Sequence, residues 1–371
     1  MMDLPKKFVK RLPRLRRVFA ERDHLRNEQE RLRAEQQQLL VQRDQAMAEL
    51  GRLRAERDRV RGERDLTLSE RYELFLERDR VRMERDQALA QKEELLKGQW
   101  VPPGHYYSPI PSLAELKARE QEIWGRLLRE LPAIDLNENE QLGLFDVFKN
   151  YYREMPDFPA EKQEQLRYHY QNDYYPYGDA IPLHSMIRYL RPRRIIEVGS
   201  GFSSCVTLDT NELYFENSIT CTFIEPYPQR LQSLLKPTDK IDLIEKNLQD
   251  VDLKLFGELG PRDILFIDST HVAKCGSDVN YIFFEILPAL ARGVSVHVHD
   301  IFYPFEYPQG WVYGGKAWSE DYMLRAFLQY NNAFRIQYFN SYLVAFHRER
   351  FEADMPLCLR YPGGSIWLRK V

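Results

Sequence analysis

Residues 194–204, RIIEVGSGFSS, constrain the fold of this chain more than any other stretch. The run Arg194 to Val198 is mostly apolar and β-branched, which is typical of a buried parallel strand. It is followed by Gly199 and Gly201, and then by Phe202 at a predicted helix start. Glycines let a ligand approach the backbone, and the free N–H groups of a helix start attract an anionic group. The stretch therefore predicts a site for a small charged cofactor.

The residues around the glycines favour one cofactor class over another. A dinucleotide site prefers G-x-G-x-x-G, and the third glycine position here is Ser204. Glu197 instead gives the pattern E-x-G-x-G, and polar residues at the ends of later predicted strands follow it along the chain. On these residues, Arg191 to Val371 resembles a class I S-adenosylmethionine-dependent methyltransferase. The resemblance implies an α/β fold, with a Rossmann-like sheet that has helices on both faces.

The resemblance also implies which residues hold the cofactor. S-adenosylmethionine would be bound by the turn and by the acid that ends the second strand, where its carboxylate accepts hydrogen bonds from the ribose hydroxyls. Dehydrogenases also have an acidic residue at the end of the second strand. This residue therefore does not distinguish a methyltransferase from a dehydrogenase. The implied cofactor residues are Glu197, Gly199, Ser200, Gly201, Phe202, Glu225 and Asp268.

Polar residues follow the predicted fourth and fifth strands. The segment DILFIDSTHV delivers Asp268 and His271, and GVSVHVHD delivers His299 and Asp300. His297 shares a strand face with His299, so we expect at most one of these two imidazoles at the cofactor end, and position favours His299. The resemblance implies that Asp268 faces the methyl group or binds a divalent cation.

Two routes of hydroxyl activation fit these residues. The predicted catalytic residues are His271, His299 and Asp268, with a histidine as general base. Alternatively, Asp268 and Asp300 bind Mg²⁺, which acidifies the hydroxyl. Metal-dependent members of the family usually show Asp-Asn or Asp-Asp at the fifth strand, and Asp300-Ile301 departs from that pattern. For each histidine, a purely structural role stays open.

The chain after the glycine turn alternates strands with helices, which predicts a parallel sheet with ligands at the carboxyl ends of its strands. Two loops are candidates for the walls of such a site: an aromatic lid over residues 302–318 and a Tyr and Asp cluster at residues 172–179. Ordinary packing is the alternative for both. The other predicted strands are Ile219–Ile224, Ile241–Glu245, Ile264–Asp268, Val294–His299, Phe334–Phe339 and an antiparallel last strand, Ser365–Arg369.

The first quarter of the chain repeats every seven residues. Every seventh residue from 21 to 84 is Glu or Gln, and a mostly apolar column runs four positions later from Leu25 to Ala88. This pattern predicts one long helix, either in a homo-oligomeric coiled coil or as a single solvated charged helix. A coiled coil needs a second apolar heptad position, and in this chain that position is mostly arginine. The alternative of a single solvated helix therefore stays open.

These patterns divide the chain into five parts. They are a basic tail at 1–20, a coiled-coil helix at 21–97, a Pro-rich and aromatic linker at 98–111, a helical lead-in at 112–190, and a methyltransferase domain at 191–371. Helices are predicted in the lead-in near 112–131, 137–154 and 160–170, and near 180–190. Lys6 to Arg17 carries seven basic residues and no acid. It is predicted either as a solvated tail or as a weak contact with an anionic membrane surface.

Composition narrows the function classes further. A net charge of -3 argues against nucleic-acid binding, and four widely spaced cysteines predict reduced thiols. We find no apolar run of membrane-spanning length and no apolar core of a signal peptide, so a cytoplasmic location is expected. The predicted reaction is O-methylation of a hydroxyl on a small-molecule or glycan acceptor. The alternatives are an NAD(P)-dependent oxidoreductase and a non-catalytic coiled-coil scaffold.

Overall fold

A computed structural model describes residues 17–32, 35, 47–52, 78, 80–87, 89 and 100–371. The chain divides into two compact units, Met1–Gln99 and Trp100–Val371. Within the described part of the chain, no helix is both long enough and apolar enough to cross a membrane.

The first unit is helical wherever it is described. Helical stretches cover residues 17–32, 47–52 and 80–87. Ion pairs four residues apart, such as Arg80 with Glu84 at 2.9 Å, link successive turns on the helix surface. Leu25 and Val81 of the heptad column are exposed in the single chain. Their pairing in a coiled coil stays a prediction, and the rest of the 21–97 helix and the basic residues 6–16 lie outside the described residues.

The second unit is built on one seven-stranded sheet in the order β3-β2-β1-β4-β5-β7-β6. Strands β1 to β5 pair in parallel, and β7 is antiparallel to both β5 and β6. This confirms the predicted Rossmann-like class and the antiparallel last strand, and every predicted strand end lies within one residue of the observed end. The strands are β1 Arg194–Val198, β2 Thr220–Ile224, β3 Asp242–Ile244, β4 Ile264–Ile267, β5 Ser295–His299, β6 Phe334–Phe339 and β7 Ser365–Lys370.

Helices connect these strands and precede them. Short 3-10 turns cover Leu248–Asp250, Leu253–Glu258 and Pro356–Leu359, and a π-turn, Ile282–Ile286, joins α7 to α8. The helices of this unit are α1 Leu113–Ala118, α2 Glu120–Ile123, α3 Glu138–Arg153, α4 Tyr177–Leu190, α5 Phe202–Phe215, α6 Gln229–Leu234, α7 Asp278–Tyr281, α8 Leu287–Ala289, α9 Gln309–Tyr313, α10 Glu320–Leu328, α11 Asn340–Phe346 and α12 Arg348–Asp354.

The core lies at the centre of the sheet. Every residue of β4 is fully buried, as is Ile196 of β1. Strands buried on both faces read as mostly apolar runs, unbroken in β4 and interrupted by Glu197 in β1, which is why these two strands could be recognised in the sequence. Cys205, Cys221 and Cys358 are buried, Cys275 is exposed, and all four thiols are free, as predicted.

The lead-in differs from the prediction at residues 160–170, which form no helix. The backbone N–H groups of Arg167 and Tyr168 donate to the Asp209 carboxylate at 3.0 and 2.8 Å. The Arg167 guanidinium is buried between Asp209 and Asp239. These N–H groups therefore cannot bond to carbonyls four residues earlier, and a tertiary ion pair overrides the local helical pattern. The predicted helix at 112–131 is reduced to α1 and α2.

Candidate functional site

A cavity of about 540 Å³ lies at the carboxyl ends of the central strands. Gly199 after β1, Glu225 after β2, Asp268 after β4 and His299 at the end of β5 all line it. Because these strands are parallel neighbours, their ends meet at one edge of the sheet. The cavity therefore lies where the strand order predicts a ligand site.

The turn after β1 requires glycine at one position. Gly199 has a φ of +74°, and a Cβ there would lie 2.0 Å from the carbonyl oxygen of Asp268. Its N–H donates to the carbonyl of Ile224 at 3.0 Å, so the turn is held against β2 as well as β4. Gly201 has an extended backbone and only the Arg230 side chain at 3.4 Å. The close approach of two strands, and not only a ligand, explains Gly199.

Glu197 is fully buried beneath this turn and does not line the cavity. Its Oε1 accepts from the hydroxyls of Ser203 and Ser204, each at 2.7 Å, while Oε2 has no partner among the described residues. Burial raises the pKa of Glu197 to about 8, against the lowering effect of the two serines. Ser204, at the place of the third dinucleotide glycine, thus ties β1 to α5. The predicted contact of Glu197 with the cofactor stays a prediction.

Glu225 is held by backbone N–H groups at the cavity wall. Its Oε2 accepts from Ser200 at 3.1 Å and its Oε1 from Tyr227 at 2.8 Å. The Ser200 hydroxyl is buried and has no hydrogen-bond partner in the part of the chain that the structure describes. Phe202 stacks on Tyr174, and both line the cavity. The predicted cofactor residues that line the cavity are Gly199, Ser200, Gly201, Phe202, Glu225 and Asp268.

Asp268 is bonded to both predicted catalytic histidines. Its Oδ1 lies 3.3 Å from Nε2 of His271 and 3.4 Å from Nδ1 of His299. Asp300 lies slightly farther, 3.6 Å from His271 and 3.8 Å from His299. Burial opposes ionisation of Asp268, but His299 and His271 hold its pKa well below its usual range. The structure thus brings the four predicted residues into one cluster.

Two further carboxylates complete this cluster and were missed by the sequence analysis as site residues. Glu320, fully buried at the start of α10, bonds Nδ1 of His271 at 2.9 Å and accepts from Ser269 at 2.8 Å. Asp179 lies 3.7 Å from Nε2 of His299. Asp179 belongs to the segment predicted as an entrance, whereas Glu320 resembles an ordinary first-turn helix acid and gave no signal.

These carboxylates keep both imidazoles charged. Burial lowers the pKa of His271, but its bonds to Asp268 and Glu320 prevail and raise it to about 10. The pKa of His299 is also raised well above its usual value, because Asp300 and Asp268 outweigh burial. In Asp300 burial prevails over the two histidines, so its pKa is raised. At neutral pH the histidines are therefore donors.

His297 occupies the core instead of the site. Its ring stacks on Phe266 at a centroid distance of 4.1 Å, and neither of its nitrogens has a hydrogen-bond partner within the described ranges. Complete burial keeps its pKa well below the usual value, so the ring is neutral. One of the two strand histidines reaches the cofactor end, as predicted, and it is His299.

The charge on His271 predicts how stability depends on pH. Its pKa in the folded protein, about 10, exceeds its ordinary value of 6.5. The stabilisation is therefore complete below pH 6.5 and is lost as the pH rises through about 10. We expect the melting temperature of His271→Gln to lie farthest below that of the wild type near pH 6 and to approach it toward pH 10, by thermal unfolding across this range. His24→Gln, on an exposed helical surface, is the control. An equal gap at every pH would contradict the charged state of His271.

The cluster does not fit a metal. Asp268 and Asp300 are both directed at charged imidazoles, which donate hydrogen bonds and cannot act as ligands. Among the described residues, no group of three or more His, Cys, Asp or Glu side chains is arranged to hold a metal ion. We therefore assign no catalytic step to the predicted Mg²⁺ at Asp268 and Asp300.

Both predicted loops line the cavity. From the lid, Trp311, Lys316 and Trp318 contribute, and the Trp318 ring lies 4.3 Å from that of His271. From the 172–179 segment, Asp173 and Tyr174 contribute. Aromatic rings thus form one wall of the cavity, next to the histidine and carboxylate cluster.

Comparisons with known proteins point to one family. A model of the methyltransferase domain matches residues 196–301. An uncharacterised protein of Archaeoglobus fulgidus is 37% identical over 166 residues, which cover 44% of this chain and 75% of that protein.

Solved structures with lower identity are similar over a larger share of the chain. The S-adenosylhomocysteine-bound methyltransferase PaMTH1 of Podospora anserina is 14% identical, with a TM-score of 0.34, over 74% of this chain and 99% of its own. The O-methyltransferase TomG of Streptomyces achromogenes, involved in tomaymycin synthesis and solved with S-adenosylmethionine, is 15% identical, with a TM-score of 0.31, over 62% and 88%.

Proposed function

Because the chain belongs to the class I methyltransferase family, we propose that it transfers a methyl group from S-adenosylmethionine to a hydroxyl of a small-molecule or glycan acceptor. The observation that carries this proposal is the single cavity in which the glycine turn, Glu225 and the cluster around Asp268 meet. A bound S-adenosylmethionine supplies a methyl group on a positively charged sulfur.

The cofactor residues fit such a molecule. The turn at Gly199 leaves no room for a side chain, and the unpaired hydroxyl of Ser200 is buried beside it. Glu225 presents a carboxylate held in place by two N–H groups, which suits a pair of ribose hydroxyls. We assign Gly199, Ser200, Gly201, Phe202 and Glu225 to cofactor binding.

The cluster handles the proton of the acceptor hydroxyl. His271 and His299 are charged at neutral pH, so a role as base would need alkaline solution. Asp300 is the carboxylate best suited to accept the proton, because burial already raises its pKa and both imidazoliums lie within 4 Å. Asp268 and Glu320 hold the imidazoles in position. Methyl transfer otherwise needs mainly alignment, which the aromatic walls supply.

Ligand binding by the purified full chain tests this proposal. We expect S-adenosylhomocysteine to raise the melting temperature and to give a calorimetric binding signal, while NADH gives neither. Glu225→Ala should weaken binding of S-adenosylhomocysteine roughly 10-fold or more, because it removes charged hydrogen-bond acceptors. Glu245→Ala, at the exposed end of β3, is the matched control and should bind like the wild type.

Each alternative predicts a different result in the same experiment. An oxidoreductase would be stabilised by NADH instead, and a non-catalytic scaffold would bind neither compound. Wild-type protein that stays unaffected by millimolar S-adenosylhomocysteine would refute the proposed function.

A further inference from the structure

A second cavity of about 320 Å³ lies between the linker and the lid. Ile110 and Leu113 line it from the linker side, with Pro103, and Val312 and Ala317 line it from the lid. These side chains are apolar, so the cavity favours an apolar occupant. Its volume is at the lower end of the range for small-molecule sites, which suits a chain or a single ring.

The walls of this cavity are fixed to one another. The indole N–H of Trp124, after α2, donates to the carbonyl of Tyr307 in the lid at 2.9 Å. The Trp124 ring packs edge-on against Tyr313 at 5.7 Å, and the Tyr313 hydroxyl bonds the carboxylate of Glu120. The lead-in therefore holds the lid on the same side as the cavity, and the space between them is a built feature of the unit.

Lys316 lies in the wall of this cavity and also in the wall of the candidate active site. Its ammonium lies 3.5 Å from the ring centroid of Trp311 and 4.2 Å from that of Trp318. These π-faces fix the position of the charge. Among the described residues, Lys316 forms no ion pair, and burial lowers its pKa while Asp300 opposes the shift. A positive charge at the junction is thus open to an anionic group.

We infer that the second cavity binds the apolar chain of an amphipathic acceptor, and that Lys316 binds an anionic group of the same molecule. This inference rests on the proposed function, because the hydroxyl to be methylated would lie in the cavity beside Asp300. The apolar chain would then extend past Lys316 and between Leu113 and Val312. The presence of Lys316 in the walls of both cavities is the observation that carries it.

Binding of straight-chain carboxylates to the full chain tests the inference. Butanoate, hexanoate and octanoate carry an anionic head and a growing apolar tail. We expect calorimetric affinity to rise about fourfold per added methylene, which is the effect of burying each CH₂. Octanoate should bind more tightly than 1-octanol, and Lys316→Ala should remove that difference.

A matched pair of variants locates the binding. Leu113→Trp fills the cavity from the linker side and should abolish the dependence on chain length. Leu127→Trp, at another exposed leucine that does not line the cavity, should leave it unchanged. Affinity that is flat with chain length, or unchanged in Leu113→Trp, would overturn the inference.

Binding of S-adenosylhomocysteine, measured on the same samples, separates the two proposals. If it binds while the alkanoates do not, the inference fails and the proposed function stands. If the alkanoates bind while it does not, the link between this cavity and methyl transfer fails together with the proposed function.

Discussion

Asp268→Asn is expected to lower methyl transfer by about 100-fold or more while the sheet remains folded. Asp268 is the one carboxylate that lies within 3.5 Å of both His271 and His299 among the described residues. The amide has nearly the same shape as the carboxylate, but it lacks the negative charge that stabilises the positive charges of His271 and His299. We therefore expect the pKa of His271 to fall from about 10 toward its ordinary value.

Two measurements check this prediction. Titration of the His271 imidazole by NMR measures its pKa directly. The reaction is followed by the formation of S-adenosylhomocysteine from labelled S-adenosylmethionine, with an extract of the cells that express the protein as the source of acceptor. Asp242→Asn, at the exposed start of β3, changes a carboxylate to an amide away from the cavity and should alter neither. An unchanged His271 titration in Asp268→Asn would show that this cluster is not held together by charge.

The glycine turn and the ends of the strands could be predicted because their causes are local. The apolar run that stops at Asp268, and the buried strand with alternating valines that ends at His299, each mark the position of a carboxyl end. Parallel strands bring those ends together whatever the loops between them do. The sheet class and the meeting of Asp268, His271, His299 and Asp300 followed from this rule.

Glu320 could not be predicted because its role depends on a long loop that returns to the site. Its partner His271 lies 49 residues earlier, and only the path of the lid brings α10 against it. The sequence analysis predicted a neutral histidine as the base, because the carboxylates that surround His271 in space are not adjacent to it in the sequence. A lone histidine near neutral pH looks like a base, whereas a histidine between Asp268 and Glu320 is a cation.

The failed helix at 160–170 has a related physical cause. Local propensity favoured a helix there, but the backbone N–H groups of Arg167 and Tyr168 donate to Asp209, which lies more than 40 residues later in the chain. A buried Arg167 that neutralises Asp209 and Asp239 makes this arrangement stable. Long-range ion pairs of this kind leave no periodic trace in a sequence.

Gly199→Ala is expected to abolish measurable binding of S-adenosylhomocysteine and to lower the melting temperature. Its φ of +74° alone disfavours an L-residue by about 1–2 kcal/mol. The added Cβ would also lie 2.0 Å from the Asp268 carbonyl oxygen, which is backbone and cannot move aside without shifting β4. Such a shift would displace Asp268 itself, so a methyl group on the cofactor side of the cavity would also disturb the histidine cluster.

Two other glycines serve as controls for this effect. Gly143→Ala, in α3 with open space around the new methyl group, should raise stability slightly, because alanine is the better helix former. Gly201→Ala meets only the flexible Arg230 side chain at 3.4 Å, with an extended backbone, so it should fold like the wild type. Thermal unfolding of the three variants, with calorimetry on Gly199→Ala and Gly143→Ala, distinguishes strain at the turn from a general sensitivity to added methyl groups. Full binding by Gly199→Ala would mean that β1 and β4 do not close on the turn as described, and the cofactor site would have to lie elsewhere.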